Sequence, residues 1–363
     1  MNAAGPRVAG IDPGTVSFGV CVLDDGEVAL ECSFPAAEVG VDPSPLVQML
    51  VEHGPFELVL GPAGYGLPLV PGAQVGEREL ALIVLLREDE PHGPVGVGGM
   101  RSIVRALVAA GLPMVFGPGA IHLPTIPAYR KWNRIDLGTA DKVASVALCI
   151  VDQARRLSLD FAQTSFVMLE LGGGFSAAVA VDGGRIVDGL GGSAGPIGAR
   201  ACGALDAEVG YLLGAALSKR TVFSGGALDP RGELDLSAGL AALRRDPRHR
   251  DGWLALEEGA AKAALALTVS APKPREILVA GRLAQAPGLI EALGERLAGV
   301  APVRVVAGLQ AGAKAAAHGA AVLADGLAGG RYAPLVERLG VAGAGGSALD
   351  HLRVHGADEI RLR

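Results

Sequence analysis

Asp12 ends an apolar run, Val8 to Ile11, and is followed by Pro13, Gly14 and Thr15. Glu170 ends a second such run, Phe166 to Leu169, and is followed by Leu171, by Gly172, Gly173 and Gly174, and then by Ser176. An acid beside a glycine turn has the chemistry of a phosphate clamp. The glycines let backbone N–H groups approach an anion with no Cβ in the way, and Thr15 and Ser176 add hydroxyl donors. Each turn leads into another apolar strand and then an Asp-Gly pair, Asp25–Gly26 and Asp182–Gly183. Glu170 follows Asp12 by 158 residues and Asp182 follows Asp25 by 157, so the register is held to within one position. A duplicated acid-plus-glycine hairpin implies two similar domains facing each other across a nucleotide.

A second group of candidates lies between Gly119 and Lys142. This stretch concentrates His122, Tyr129, Arg130, Trp132, Arg134, Asp136 and Asp141 in a chain that is only 4% aromatic. His122, Arg130 and Arg134 have the charge to neutralise a transferring phosphoryl group or to bind an acidic substrate. Arginine suits either, because its planar fork donates two parallel hydrogen bonds. A solvated basic loop with a structural histidine is the alternative, and Tyr129 and Trp132 read as packing residues. Asp141 stands at a helix start, where the dipole stabilises an acid by about 0.3–1 kcal/mol. There it is either structural or a base for a substrate hydroxyl, a role for which Asp136 competes. Lys142 is within reach of a phosphate or faces solvent.

The elements that must position these residues follow an alternating pattern. In the first half, helices are expected at Pro45–Glu52, Glu77–Arg87 and Arg101–Ala110, and strands at Leu58–Leu60 and Met114–Phe116. Val143, Val146, Ala147, Ile150, Val151, Ala154 and Leu157 recur at helical spacing, with Thr139 as N-cap. In the second half, helices are expected at Asp206–Ser218, Trp253–Leu267, Pro287–Ala298 and Gln310–Ala324, and strands at Glu276–Ala280 and Val303–Val306. The fold class is α/β, with one domain over 1–158 and another over 159–330. Residues 331–363 form a tail packed on a domain.

At 363 residues the chain is long enough for two full cores. Half of its residues are apolar and its mean hydropathy is +0.38. No run approaches the roughly 18–20 apolar residues that a membrane span needs, so no membrane association is expected. The N-terminus leads straight into the first strand without a signal peptide, which makes the cytoplasm the default location. Cys21, Cys32, Cys149 and Cys202 form no CxxC pair and read as free buried thiols. A net charge of −6 argues against a nucleic-acid surface. The 54 glycines are read as composition rather than function.

These segments occur in the order expected of the actin, heat-shock chaperone and sugar-kinase superfamily. Ile11 to Thr15 resembles its first phosphate motif, Glu170 to Ser176 its second, and Ile277 to Arg282 its adenosine motif. Over about residues 7–325 the chain resembles a family labelled "predicted butyrate kinase". The closer match lies in His122–Arg130, Gly138–Lys142 and Leu190–Gly195. The resemblance implies two ribonuclease H-like (actin-like ATPase) domains facing a nucleotide cleft. It also implies ATP and Mg2+ as cofactors, with Asp12 and Glu170 holding the metal directly or through water. Gly14, Thr15, Gly172, Gly173, Gly174, Ser176 and Gly281 would line the nucleotide. The expected activity is transfer of the γ-phosphoryl group to a small-molecule acceptor, with a short-chain carboxylate favoured. A sugar or polyol kinase using Asp141 as base, or a nucleotide-binding regulatory protein, are the alternatives. A homodimer is the oligomer that the carboxylate kinases suggest.

Overall fold

The computed structural model describes residues 5–90, 97–229, 234, 239–310 and 315–363. The first sheet contains β1 (Arg7–Pro13), β2 (Ser17–Asp24), β3 (Glu27–Pro35), β4 (Leu58–Gly61), β5 (Val70–Pro71) and β6 (Met114–Phe116). Their spatial order is β3-β2-β1-β4-β6-β5. The second sheet contains β7 (Phe166–Leu171), β8 (Ser176–Asp182), β9 (Arg185–Leu190), β10 (Glu276–Ala280) and β11 (Val303–Val305), ordered β11-β10-β7-β8-β9.

The two sheets repeat one design. In each, three antiparallel strands are followed by parallel strands added beside the first of the three. The duplication extends to a defect. The β2–β3 register slips between Val22 and Leu23, and the β8–β9 register slips between Ala180 and Val181, again 158 residues on. A bulge bends and twists a strand pair, so sharing one at an equivalent position keeps the two hairpins alike in curvature.

Two helices lie between the sheets, Ala140–Leu157 and Ala315–Leu327. The first is buried on every face from Val143 to Ala154, not along one stripe. A helix enclosed on all sides is expected to be apolar all round, and the exposed end at Leu157 marks where the cover stops. The second belongs to the latter half of the sequence but packs on β1, β2 and β4 of the first sheet. The start expected for it at Gln310 falls partly on residues 311–314, outside the described residues.

Small residues permit this layering. A Cβ on Gly10 of β1 would meet the backbone nitrogen of Ala321 at 2.1 Å. Gly10 is therefore a packing residue, for which composition alone does not account. The helix expected over 206–218 stops earlier, spanning Ala207–Leu213, because Gly214 takes a positive φ of 48°. The tail does pack. Its helix Ala333–Leu339 lies against the Ala140–Leu157 helix and β9, and its last residues reach Leu86 and Arg87. Among the described residues no helix is long and apolar enough to cross a membrane. The four cysteines are free, with Cys21 and Cys149 buried and Cys32 and Cys202 partly exposed.

Candidate active site

The two glycine turns meet. A Cβ placed on Gly174 would lie 3.3 Å from the Thr15 Cγ2, so the turn after β7 is in contact with the turn after β1. Gly172 closes its own turn by donating its N–H to the Phe175 carbonyl at 2.9 Å. The Gly174 carbonyl accepts from the backbone of Arg200 and Ala201, which fixes the turn from behind. Thr15 is exposed beside the half-buried Gly14. Gly173 is buried, and Ser176 Oγ is buried with no hydrogen-bond partner among the described residues. Gly281 has φ +89°, and a Cβ there would lie 2.5 Å from the Leu171 carbonyl oxygen. Its freedom thus serves a close approach to the protein's own second turn.

Beside the turns, the start of the Ala140–Leu157 helix brings Asp141 and Lys142 to Glu170. Lys142 Nζ donates to Asp141 Oδ2 at 2.5 Å and to Glu170 Oε1 at 3.0 Å. Ser145, one turn on, donates its hydroxyl to the other Glu170 oxygen at 3.0 Å. Thr139 holds the N-cap position, but its hydroxyl binds Asp141 Oδ1 and not a helix N–H. Burial pushes the Asp141 carboxyl up, yet the Lys142 ammonium and the Thr139 hydroxyl together hold it below the usual carboxylate range. Glu170 goes the other way. Burial raises it, and the neighbouring Asp141 and Asp12 charges add to the rise, outweighing Lys142.

Asp12, only 6% exposed, completes the group. The oxygen donors suit a hard ion such as Mg2+. Among the described residues no three candidate ligands cluster tightly enough to hold a metal by themselves. An ion held by Asp12 and Glu170 would take its remaining ligands from water and phosphate, as Mg2+ commonly does.

A family model described as "Protein of unknown function (DUF1464)" matches residues 10–354. The chain belongs to the DUF1464 family. No curated protein is significantly similar to it in sequence. Among solved structures, this DUF1464 protein is similar to a propionate kinase from Francisella tularensis, with a TM-score of 0.58 at 13% identity. That match covers 87% of this chain and 98% of the other. Acetate kinase from Entamoeba histolytica gives a TM-score of 0.54 at 14% identity, covering 80% and 86%. Porphyromonas gingivalis acetate kinase gives 0.52 at 14% identity, with the same coverage. At these identities the likeness establishes the fold, which is the two-domain actin-like ATPase and kinase architecture that the resemblance implied. The family description names no acceptor.

Other expected residues of the DUF1464 chain lie elsewhere. His122 is 3% exposed, with Nδ1 3.2 Å from the Gly119 carbonyl, and burial pushes its pKa down to about 4. A neutral, enclosed imidazole brings no positive charge to a phosphoryl group, so that role is corrected to a core one. Arg130 donates to the Val187 carbonyl at 2.7 Å and stands 3.7 Å from Asp188, turned to β9. Arg134 is exposed on the surface. Asp136 is also committed. It accepts from Gly138 N at 3.0 Å and from Ser193 N and Oγ at 3.0 and 3.1 Å. Trp132 carries the Arg353 guanidinium at 3.5 Å, and the His122 and Asn133 backbones bond the tail. The aromatic stretch therefore receives the C-terminus.

Sequence reasoning missed Ser145 and the bridging position of Lys142. Helical spacing from Asp141 was the available signal, since residues four apart share a face.

The depressed His122 pKa sets a pH dependence. Folded His122 stays neutral down to about 4, while in the unfolded chain it protonates near 6.5. Its contribution is present above pH 6.5 and is lost as pH falls toward 4, up to about 3 kcal/mol. Urea unfolding between pH 7 and 4.5 should show a steeper loss for the wild type than for His122→Gln. Equal slopes would mean that the ring titrates freely.

Proposed function

We propose that this protein is an ATP- and Mg2+-dependent small-molecule kinase that phosphorylates a short-chain carboxylate. The observation that carries the reading is the contact of the two acid-ended glycine turns, with Asp141, Lys142 and Glu170 linked beside them. The turns offer N–H groups to the phosphates of a nucleotide. Asp12 and Glu170 would hold the metal, which when bound would supply positive charge to the transferring group. Lys142 keeps Asp141 ionised and orients both carboxyl groups while the cleft excludes bulk water.

The state of Asp141 favours a carboxylate over a hydroxyl acceptor. Both of its oxygens already accept hydrogen bonds and its proton affinity is depressed, which makes it a poor general base. A carboxylate, with an ordinary pKa of about 4–4.5, needs no base at neutral pH. Its oxygen attacks the γ-phosphorus, the bond from that phosphorus to the β–γ bridging oxygen breaks, and ADP leaves with the electron pair.

The test is ADP release from Mg-ATP across short-chain carboxylates and polyols, with Asp141→Asn beside the wild type. Carboxylate-stimulated release that stays within about tenfold in Asp141→Asn is the expected result. Polyol stimulation that falls by about 10²–10⁴ in the variant would instead make Asp141 a base and the acceptor a hydroxyl. ATP binding without release under any acceptor would leave a nucleotide-bound regulatory protein.

A further inference from the structure

Lys219 is a cation for which the site described above has no use. It opens a short helical turn, Lys219–Val222, in the long connection between β9 and β10. Its Nζ lies 4.4 Å from the Tyr65 ring centroid and 5.7 Å from that of Phe223, and donates to the Tyr65 hydroxyl at 3.0 Å. The ammonium is partly buried and forms no ion pair with a carboxylate among the described residues. The nearest acids are otherwise engaged. Asp136 is saturated by Gly138 and Ser193, while Glu90 accepts the Lys219 backbone N–H at 2.8 Å and faces Arg87.

The rings link this ammonium to the segments that carry the two turns and the start of the Ala140–Leu157 helix. Phe223 packs edge-on against Phe175 at 5.0 Å, and Phe175 directly follows Gly174 of the second turn. Tyr65 follows Gly64, whose carbonyl accepts from Ala140, the neighbour of Asp141. One wall of the niche thus comes from each half of the molecule. Asp136 and Glu90 act on the ammonium only from beyond ion-pair distance, and a sheltered cation with no acid in contact gains free energy when an anion joins it. An apolar ring on either side suits the hydrocarbon part of a small organic acid.

We infer that Lys219 binds the carboxylate group of the acceptor, in a niche walled by Tyr65 and Phe223 where the two halves meet. The inference rests on the kinase reading for the identity of its ligand, but binding can be measured without turnover. Burial pulls the Lys219 pKa down to about 8, against the opposing pull of Asp136 and Glu90. Carboxylate affinity in this niche, which also faces the Tyr65 hydroxyl, therefore declines as pH rises through that value.

The experiment compares butyrate with its neutral isostere butyramide, by ligand-observed NMR titration of wild type, Lys219→Met and Tyr65→Phe. Wild type is expected to prefer butyrate. Lys219→Met should weaken butyrate about 10- to 100-fold and leave butyramide and ADP binding unchanged. Tyr65→Phe keeps the ring and the charge, so it should retain the preference even if Lys219→Met folds poorly. Equal butyrate affinity in wild type and Lys219→Met, or no preference for butyrate in the wild type, overturns the inference. ADP release measured alongside separates the two ideas. Lys219-dependent butyrate binding without release keeps the niche and removes the kinase reading. Butyrate-stimulated release that is unchanged in Lys219→Met keeps the kinase and removes the niche.

Discussion

Lys142→Met is expected to lower phosphoryl transfer by about 10²-fold or more and to destabilise the protein by about 3–5 kcal/mol. Among the described residues the ammonium is the one cation paired with Asp141 and Glu170, and its side chain is 12% exposed. Removing it leaves Asp141 and Glu170 facing each other with no counter-charge. The sign of the pH effect follows from the carboxyls. Without Lys142 the Asp141 pKa rises above that of the unfolded chain and Glu170, already raised, rises further, so the penalty is full at pH 7 and fades as both take up protons toward pH 4. Millimolar Mg2+ should recover part of the lost stability, because a divalent ion supplies the missing positive charge. Urea unfolding at pH 7 and pH 4.5, with and without Mg2+, checks each part. A variant as stable as the wild type at pH 7 would show that Lys142 is not paired in solution.

The hairpins were legible because their information is local: an acid, a glycine turn and a fixed offset. The fold follows from the same offset, and the matched register slips on β2 and β8 show how far the duplication extends. The stretch from Gly119 to Lys142 was read less well. Its unusual composition stood out, but the partners that decide its role lie far along the chain. Arg130 turns to Asp188, and Trp132 to Arg353 in a tail with no periodic pattern. His122 shows the same limit. Histidine in a polar context reads as reactive, and only burial, which is tertiary, makes it neutral. Lys219 carried no sequence signal, because its meaning lies in the two rings beside it, of which Tyr65 comes from far along the chain, and in having no ion pair among the described residues.

Gly319→Ala tests the packing on which the site depends. A Cβ at Gly319 would stand 1.8 Å from the Ala144 carbonyl oxygen and 2.4 Å from its carbon, where the two central helices cross. The Ala315–Leu327 helix cannot retreat. On its other side Gly10 of β1 already approaches the backbone nitrogen of Ala321 and the Ala320 side chain. One methyl group must therefore displace backbone, and the expected cost is about 3 kcal/mol or more. The helix pushed aside is the one whose first turn carries Asp141 and Lys142, so any folded fraction should also show reduced turnover. Gly294→Ala is the matched control. Gly294 lies in the helix Leu289–Arg296 with nothing within 4 Å of an added Cβ, and the same change there should stabilise by about 0.4–1 kcal/mol. If the two variants unfold at the same urea concentration, the central helices do not cross at Gly319, and the placement of Asp141 against Glu170 loses its support.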